Sequence, residues 1–347
     1  MRFPIRSSVL LFAAAAIATG CLQAQNPPAT AYHLIHEYKL GGEGGWDYLT
    51  MDAASRRLYI SRGTHVQVLN IDTGKVDGDI PELKGVHGIA LDKADNKGYI
   101  SDGRDNSVVV FDLKTLKQTG KVQAGTNPDA ILFDPATNRV FAFNGRSGNA
   151  TVIETKDNSV AGTIDLGGKP EFGASDGKGK VFVNLEDKSS LVEIDAKELK
   201  VLNTWPLAPG EGPSGLAIDP DHELLFSGCD NEKMAIVDGN SGKVLATETI
   251  GKGVDATAFD KGLKQAYSSN GQSGTITIVK EDSPTSFTGA GEVSTKPRAR
   301  TMAIDEKTHN LITVTAQFEP QPEPAPGQQR QRPKMIPDSF EVLVYGK

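Results

Sequence analysis

The stretch "YISDGRDNSVVVFDLKTLKQTGKV", residues 99–122, holds two alternating apolar runs separated by a polar loop, then a lysine-bearing turn and the start of a third run. Related stretches begin near residues 59, 141, 225 and 267. Each follows an Asp that closes a short apolar segment: "YLTMD" at Asp52, "GIALD" at Asp92, "AILFD" at Asp134, "FGASD" at Asp176, "GLAID" at Asp219, "ATAFD" at Asp260 and "TMAID" at Asp305. Successive anchors lie 40, 42, 42, 43, 41 and 45 residues apart, so one unit recurs seven times. Self-similarity at a fixed period is read before local structure, because it decides the architecture.

Within a unit the order is constant. A strand ends at the Asp, a tight turn such as "DPATNR" follows, and a second strand such as "RVFAF" ends in a polar residue. A loop rich in Gly, Asn and Ser leads to a third strand, and a turn such as "GNSGK" leads to a fourth. Four short strands joined by hairpin-type turns make one antiparallel sheet per unit. At a period of 40 to 45 residues this predicts an all-β, seven-bladed β-propeller.

The first strands agree. Positions one and three before the anchor are mostly large (Met51 and Leu49, Leu91 and Ile89, Phe133 and Ile131), while the position between is small or β-branched (Thr50, Ala90, Ala174, Ala217, Ala258, Ala303). Alternation of period two places these on opposite faces, so the bulky face of one sheet can meet the small face of the next. The last unit supplies only three strands, and "YHLIHEYKL" (residues 32–40) ahead of the first anchor supplies the fourth. Pairing it beside the C-terminal strand closes the ring and removes the open edges.

"YISR", "YISD", "FAFN", "VFVN" and "YSSN" resemble degenerate copies of the Tyr-Val-Thr-Asn signature of the YVTN-repeat β-propellers, many of them exported bacterial proteins. The resemblance spans residues 32–347 and implies fold rather than activity, because propellers host many unrelated functions.

Composition is that of a soluble domain: 347 residues, 38% hydrophobic and 23% charged, with 37 Gly and 19 Pro for turns. Arg2 and Arg6 precede an apolar run from Val9 to Ala18 and then small residues, which reads as a secretory signal over residues 1–24 with a short linker at 25–31. Gly20-Cys21 offers the alternative of a lipid anchor at Cys21. Either route gives a periplasmic or secreted protein. Removing residues 1–24 takes away two arginines and no acids, moving the net charge from −7 to −9, which disfavours nucleic acid as a partner. Cys21 and Cys229 are the only cysteines, so no internal disulfide is expected to hold the fold, and the domain is expected to be monomeric.

Function is sought where the copies differ. Five residues before each anchor stand Asp47, His87, Asp129, Glu171, Ser214, Asp255 and Arg300; the second strands end in Arg62, Asp102, Asn144, Asn184, Cys229, Asn270 and Thr315. Strand direction puts both sets on one face, encircling the mouth of the central channel. Solvation of a wet mouth and local hydrogen bonding account for many polar residues there. Convergence of Asp47, Asp129, Glu171 and Asp255 with His87 and Arg300 suggests more, since clustered carboxylates raise one another's pKa or attract a cation. No metal-ligand motif of fixed close spacing occurs, nor a Gly-x-Ser-x-Gly elbow, a phosphate-binding loop, a Cys-x-x-Cys-His haem attachment or the tandem Trp motifs of quinone propellers. The expectation is therefore a non-catalytic binding or scaffold module that holds a protein, a small polar ligand or a cation on its loop face, without a resident cofactor. The alternative is a metal-dependent hydrolase resembling the propeller lactonases, in which carboxylates and Asn hold a divalent cation that activates water. A Pro-rich insertion at 317–338, with Arg330, Arg332 and Lys334, replaces the short second loop of the last unit on the same face.

Overall fold

The computed structural model describes residue 1 and residues 31–320 and 333–347. Residues 2–30, which include most of the expected signal and linker and Cys21, and residues 321–332 of the Pro-rich insertion lie outside the described residues. Seven sheets of four antiparallel strands make up the ring. Blades 1 to 6 occupy residues 49–80, 86–123, 128–165, 170–206, 213–249 and 254–294 in chain order. The seventh is composite: Met302–Asp305, Asn310–Thr315 and Glu341–Gly346 are completed on the outside by the first strand of the chain, His33–Lys39. That strand runs antiparallel to the last, with Glu37 opposite Leu343 and Lys39 opposite Glu341. It also reaches both neighbours of its blade. The Tyr38 hydroxyl donates to the Ile71 carbonyl of blade 1 at 2.9 Å, and the Tyr32 hydroxyl lies 3.1 Å from that of Tyr267 in blade 6.

The anchor aspartates are buried and hold the turn between first and second strands. Asp134 accepts from the Thr137 amide at 3.0 Å and its hydroxyl at 2.6 Å; Asp305 accepts from the Lys307 amide and the Thr308 hydroxyl at 3.1 and 2.6 Å. Four residues past the anchor the chain turns left-handed, at Arg56, Asn96, Asn138, Glu223, Lys264 and His309, and three past it at Gly179 in the fourth blade, so outside the fourth blade the hairpin closes with an unfavourable φ that these hydrogen bonds offset.

Blades pack as the alternation predicts. Ala90 of blade 2 is buried against Val140, Ala142 and Ile153 of blade 3, with Ile131 and Phe133 alongside. Ala303 of blade 7 meets Leu49, Leu58 and Ile60 of blade 1 in the same way. A methyl group on one sheet admits the branched side chains of the next, which lets adjacent blades interdigitate at close-packed density.

Candidate functional site

A defect in the first strands aims the channel residues. Register breaks between Val86 and Ile89, Pro128 and Ile131, Pro170 and Gly173, Pro213 and Leu216, and Val254 and Thr257, so in five blades the residues at the fifth and fourth positions before the anchor lie in a bulge. A bulge re-aims side chains and leaves backbone groups unpaired. Serines of the second strand take up those groups: Ser101 Oγ accepts from the Gly88 amide at 2.7 Å and Ser269 Oγ from the Ala256 amide at 3.3 Å, and in blade 1, which has no such break, Ser61 Oγ accepts from the Asp47 and Tyr48 amides at 3.0 and 2.9 Å.

Asp47, His87, Asp129, Glu171, Asp255 and Arg300 converge around the axis. His87 Nδ1 lies 2.6 Å from Asp47 Oδ2 and 3.6 Å from Asp129 Oδ1. Arg300 bridges Asp47 at 2.9 Å and Asp255 at 2.7 Å through its two terminal nitrogens. Glu171 is met by Lys169 at 2.7 Å, which also pairs with Glu186. Ser214 completes the circle by donating to the Asp255 carbonyl at 3.0 Å. Ligand atoms of Asp47, His87 and Asp129 lie within 4.8 Å of one another, close enough to hold one cation.

Two aromatic residues form the floor. Tyr48 of blade 1 stacks on Phe172 of blade 4, ring centroids 4.5 Å apart and planes at 30°. These blades lie on opposite sides of a seven-membered ring, so the pair spans the axis. Burial, and the charges of Asp129, Asp47, Glu171 and Asp255 around it, raise the Tyr48 pKa.

The carboxylates respond differently to this setting. Burial works against Asp47, but the His87 hydrogen bond and the Arg300 charge outweigh it and hold its pKa below the usual value. Burial raises Asp129 against the charge of His87, which only partly offsets it. Burial also pushes Glu171 and Asp255 up to about 7 despite their pairing with Lys169 and Arg300, and the charge of Asp129 adds to both shifts. His87 is depressed by burial but lifted further by Asp47, Asp129 and Glu171, so its pKa is raised and the protonated ring is favoured. Four carboxylates thus face three cationic side chains.

The second set lies a layer deeper: Arg62, Asp102, Asn144, Asn184, Cys229, Asn270 and Thr315 are all buried. Asn144 and Asn270 donate to Thr151 at 3.0 Å and Thr277 at 2.9 Å, and Asn184 to the Ser214 and Gly215 carbonyls at 3.0 and 3.1 Å. Asp102 accepts from the Lys84 amide at 2.6 Å, and Thr315 donates to the Pro297 carbonyl at 2.7 Å. Arg62 lies 3.7 Å over the Phe340 ring and donates to the carbonyls of Gly41, Glu43 and Gly44. Burial pushes the Cys229 thiol up to about 11, which leaves it a poor nucleophile.

Beside the Asp255–Arg300 pair opens a cavity of about 830 Å³, lined in part by Trp46, Val254, Arg298 and Phe318. Trp46 packs between Phe318 and Phe340, centroids at 6.0 and 5.5 Å, and its buried indole N–H has no partner among the described residues. Tyr48, Phe172, Lys169, Trp46 and Phe318 were not singled out from the sequence. For the first two a signal existed: the fourth position before the anchor is otherwise Gly88, Ala130, Gly215, Ala256 or Thr301, and two large aromatics in a column of small residues have to point elsewhere.

No protein-family model matches the sequence, and no curated protein matches it. Solved structures match by shape: the WD40 repeats of RRP9, at a TM-score of 0.74 and 10% identity over 92% of this chain and 99% of that one, and U3-55K, at 0.73 and 10% over the same shares. Kuenenia stuttgartiensis hydrazine synthase matches at 0.68 and 15% identity, over 78% of this chain and 92% of that one. The chain is a seven-bladed β-propeller whose structural neighbours include WD40 propellers. Among the described residues no helix is long and apolar enough to cross a membrane.

Proposed function

We propose that this propeller is an exported, non-catalytic binding module whose channel mouth takes a positively charged group attached to an apolar one, as in a basic–aromatic segment of a peptide or partner protein. The carrying observation is the charge count in the basin: Asp47, Asp129, Glu171 and Asp255 are served by His87, Lys169 and Arg300, and Lys169 is shared with Glu186. Burial raises the pKa values of Asp129, Glu171 and Asp255, and the neighbouring carboxylates add to it, so a buried cation would favour their charged forms. An ammonium or guanidinium entering the basin supplies that cation. The adjoining cavity offers Trp46 and Phe318 to an apolar neighbour, and aromatic anchors beside charged groups are typical of strongly contributing interface residues. The surrounding carboxylates raise the His87 pKa against the opposing effect of burial, which favours the protonated ring and makes it a poorer general base.

The test uses Trp46 fluorescence in a Trp205→Phe background, which leaves Trp46 as the single tryptophan, titrated with Arg-Phe amide. A saturable change is expected, at least tenfold weaker in Asp129→Asn and Glu171→Gln and unaltered in Lys261→Ala. Absence of saturation, or equal binding by the acid variants, would refute the reading.

A further inference from the structure

A second cluster lies at the opposite end of the blades from the mouth, in the seam between blades 5 and 6. Asp219 ends the first strand of blade 5, His222 sits in the turn after it, and Glu281 comes from the third strand of blade 6. His222 Nδ1 lies 2.8 Å from Asp219 Oδ2 and 2.6 Å from Glu281 Oε1. Asp219 and Glu281 are each 2% exposed. A ring nitrogen carries at most one hydrogen, so Nδ1 cannot donate fully to both carboxylates at these distances. Apart from the 2.6 Å contact to His222, neither oxygen of Glu281 has a hydrogen-bond partner among the described residues, which leaves much of the desolvation of a buried carboxyl group unoffset.

The repeat shows that this is a departure in two blades at once. A common backbone bond from the amide after the third strand marks equivalent positions: Ile71 to Arg56, Leu113 to Asn96, Thr155 to Asn138, Ala196 to Gly179, Gly239 to Glu223 and Glu281 to Lys264. Five carry apolar, small or hydroxyl side chains, and Glu281 alone is charged. Three residues after the anchor, Ser55, Thr137 and Thr308 supply hydroxyls to their aspartates, where blade 5 supplies His222. The two substitutions touch each other across the seam. A buried carboxylate here has no counterpart in the other five blades that share the bond, so the packing of those blades does not require one.

We propose that Asp219, His222 and Glu281 form a binding site for one divalent first-row transition ion, Zn²⁺ or Mn²⁺ in class, that pins blade 5 to blade 6. All three ligand atoms lie within 4.8 Å of one another. One imidazole nitrogen with two carboxylates suits a borderline ion better than Ca²⁺, which prefers oxygen alone. Two carboxylate charges balance the ion, His222 becomes a ligand through a deprotonated Nδ1, and its partly exposed ring leaves a path from solvent. The ion gives the buried Glu281 carboxylate a partner beyond His222.

The experiment is titration of the chelator-stripped full-length protein with Zn²⁺, Mn²⁺ and Ca²⁺ by calorimetry, with Co²⁺ absorption as a spectroscopic readout and thermal unfolding alongside. One equivalent of Zn²⁺ or Mn²⁺ is expected, raising Tm with rising ion concentration. Glu281→Gln and the more exposed His222→Gln should each weaken it by more than the roughly 10–100-fold that loss of an outer-sphere partner costs, and abolish the Co²⁺ band. His87→Gln should leave this equivalent intact, which separates the seam from the channel mouth. No binding by the wild type, unchanged binding in either seam variant, or loss of the equivalent in His87→Gln would overturn the proposal.

Discussion

Tyr48 and Phe172 stack face to face with their ring centroids 4.5 Å apart, joining blade 1 to blade 4 across the axis of the ring. The contact turns an open channel into a basin with an apolar floor, and it explains why the carboxylates above it are poorly solvated. Removing the ring at Phe172 should therefore act on both stability and electrostatics. Phe172→Ala is expected to cost about 2–4 kcal/mol in denaturant unfolding, near the lower part of the range for a large core truncation because the ring is only partly buried. Admission of water should also return the Glu171 and Asp255 carboxyls toward ordinary values, read by carboxyl NMR titration. Tyr48→Phe keeps the stack and should change stability little.

Stability should fall as pH rises from about 4 to 8 in a way traceable to the basin. Glu171 and Asp255 are pushed up to about 7 by burial, so the folded state binds more protons than the unfolded chain through this window, and the slope of stability against pH is negative. Raised His87 has the same sign: its contribution is complete below the unfolded pKa and lost as pH passes the folded one. Asp47, lowered, contributes in the opposite sense, and its share is lost only under more acidic conditions. Urea unfolding of Glu171→Gln and Asp255→Asn across this range should show a flatter decline than the wild type. An unchanged slope would mean that the basin is better solvated than its geometry implies.

Closure of the ring depends on the first strand. Deleting residues 32–40 removes the outer strand of blade 7, the Tyr38 bond to blade 1 and the Tyr32 contact to blade 6. It also leaves Glu341–Gly346 as an exposed edge. The truncated chain is expected to lose cooperative unfolding and to aggregate, as followed by calorimetry and light scattering, rather than to behave as a slightly weaker propeller.

Arg62 should behave as part of the frame rather than as a ligand contact. Its guanidinium is buried, stacked on Phe340 and shared among three carbonyls. Arg62→Ala removes these together and is expected to cost about 3 kcal/mol or more, within the range for a broken buried network. Arg62→Lys should rescue little of it, because an ammonium neither stacks nor forks. Thermal unfolding of the two variants checks this.

The period of the anchors made the blades, their strand order and the closing strand legible, because each rests on backbone geometry that repeats. The first ring of channel residues was equally legible, since Asp47, His87, Asp129, Glu171, Asp255 and Arg300 hold one position in one strand. Depth was not. The polar ends of the second strands read as a rim, yet Asn144, Asn184 and Asn270 lie buried, satisfied by Thr151, by two backbone carbonyls and by Thr277. A polar letter at a strand end does not say whether water or a neighbouring chain meets it. Lys169, Trp46 and Phe318 were out of reach for a different reason: Lys169 and Trp46 stand seven and six residues before their anchors, just ahead of the channel positions, Phe318 follows the last second strand, and only the folded ring brings residues 46, 298 and 318 to one cavity.

The central claim is that the mouth formed by the first ring is the binding face. Hydrogen–deuterium exchange of the full chain with and without saturating Arg-Phe amide tests it most directly. The account predicts new protection confined to residues 45–48, 127–129, 169–172, 253–255 and 297–300, with the outer strands of all blades unchanged. Protection confined to the outer strands, or to the turns of the opposite face around Asp219 and Asp305, would contradict it.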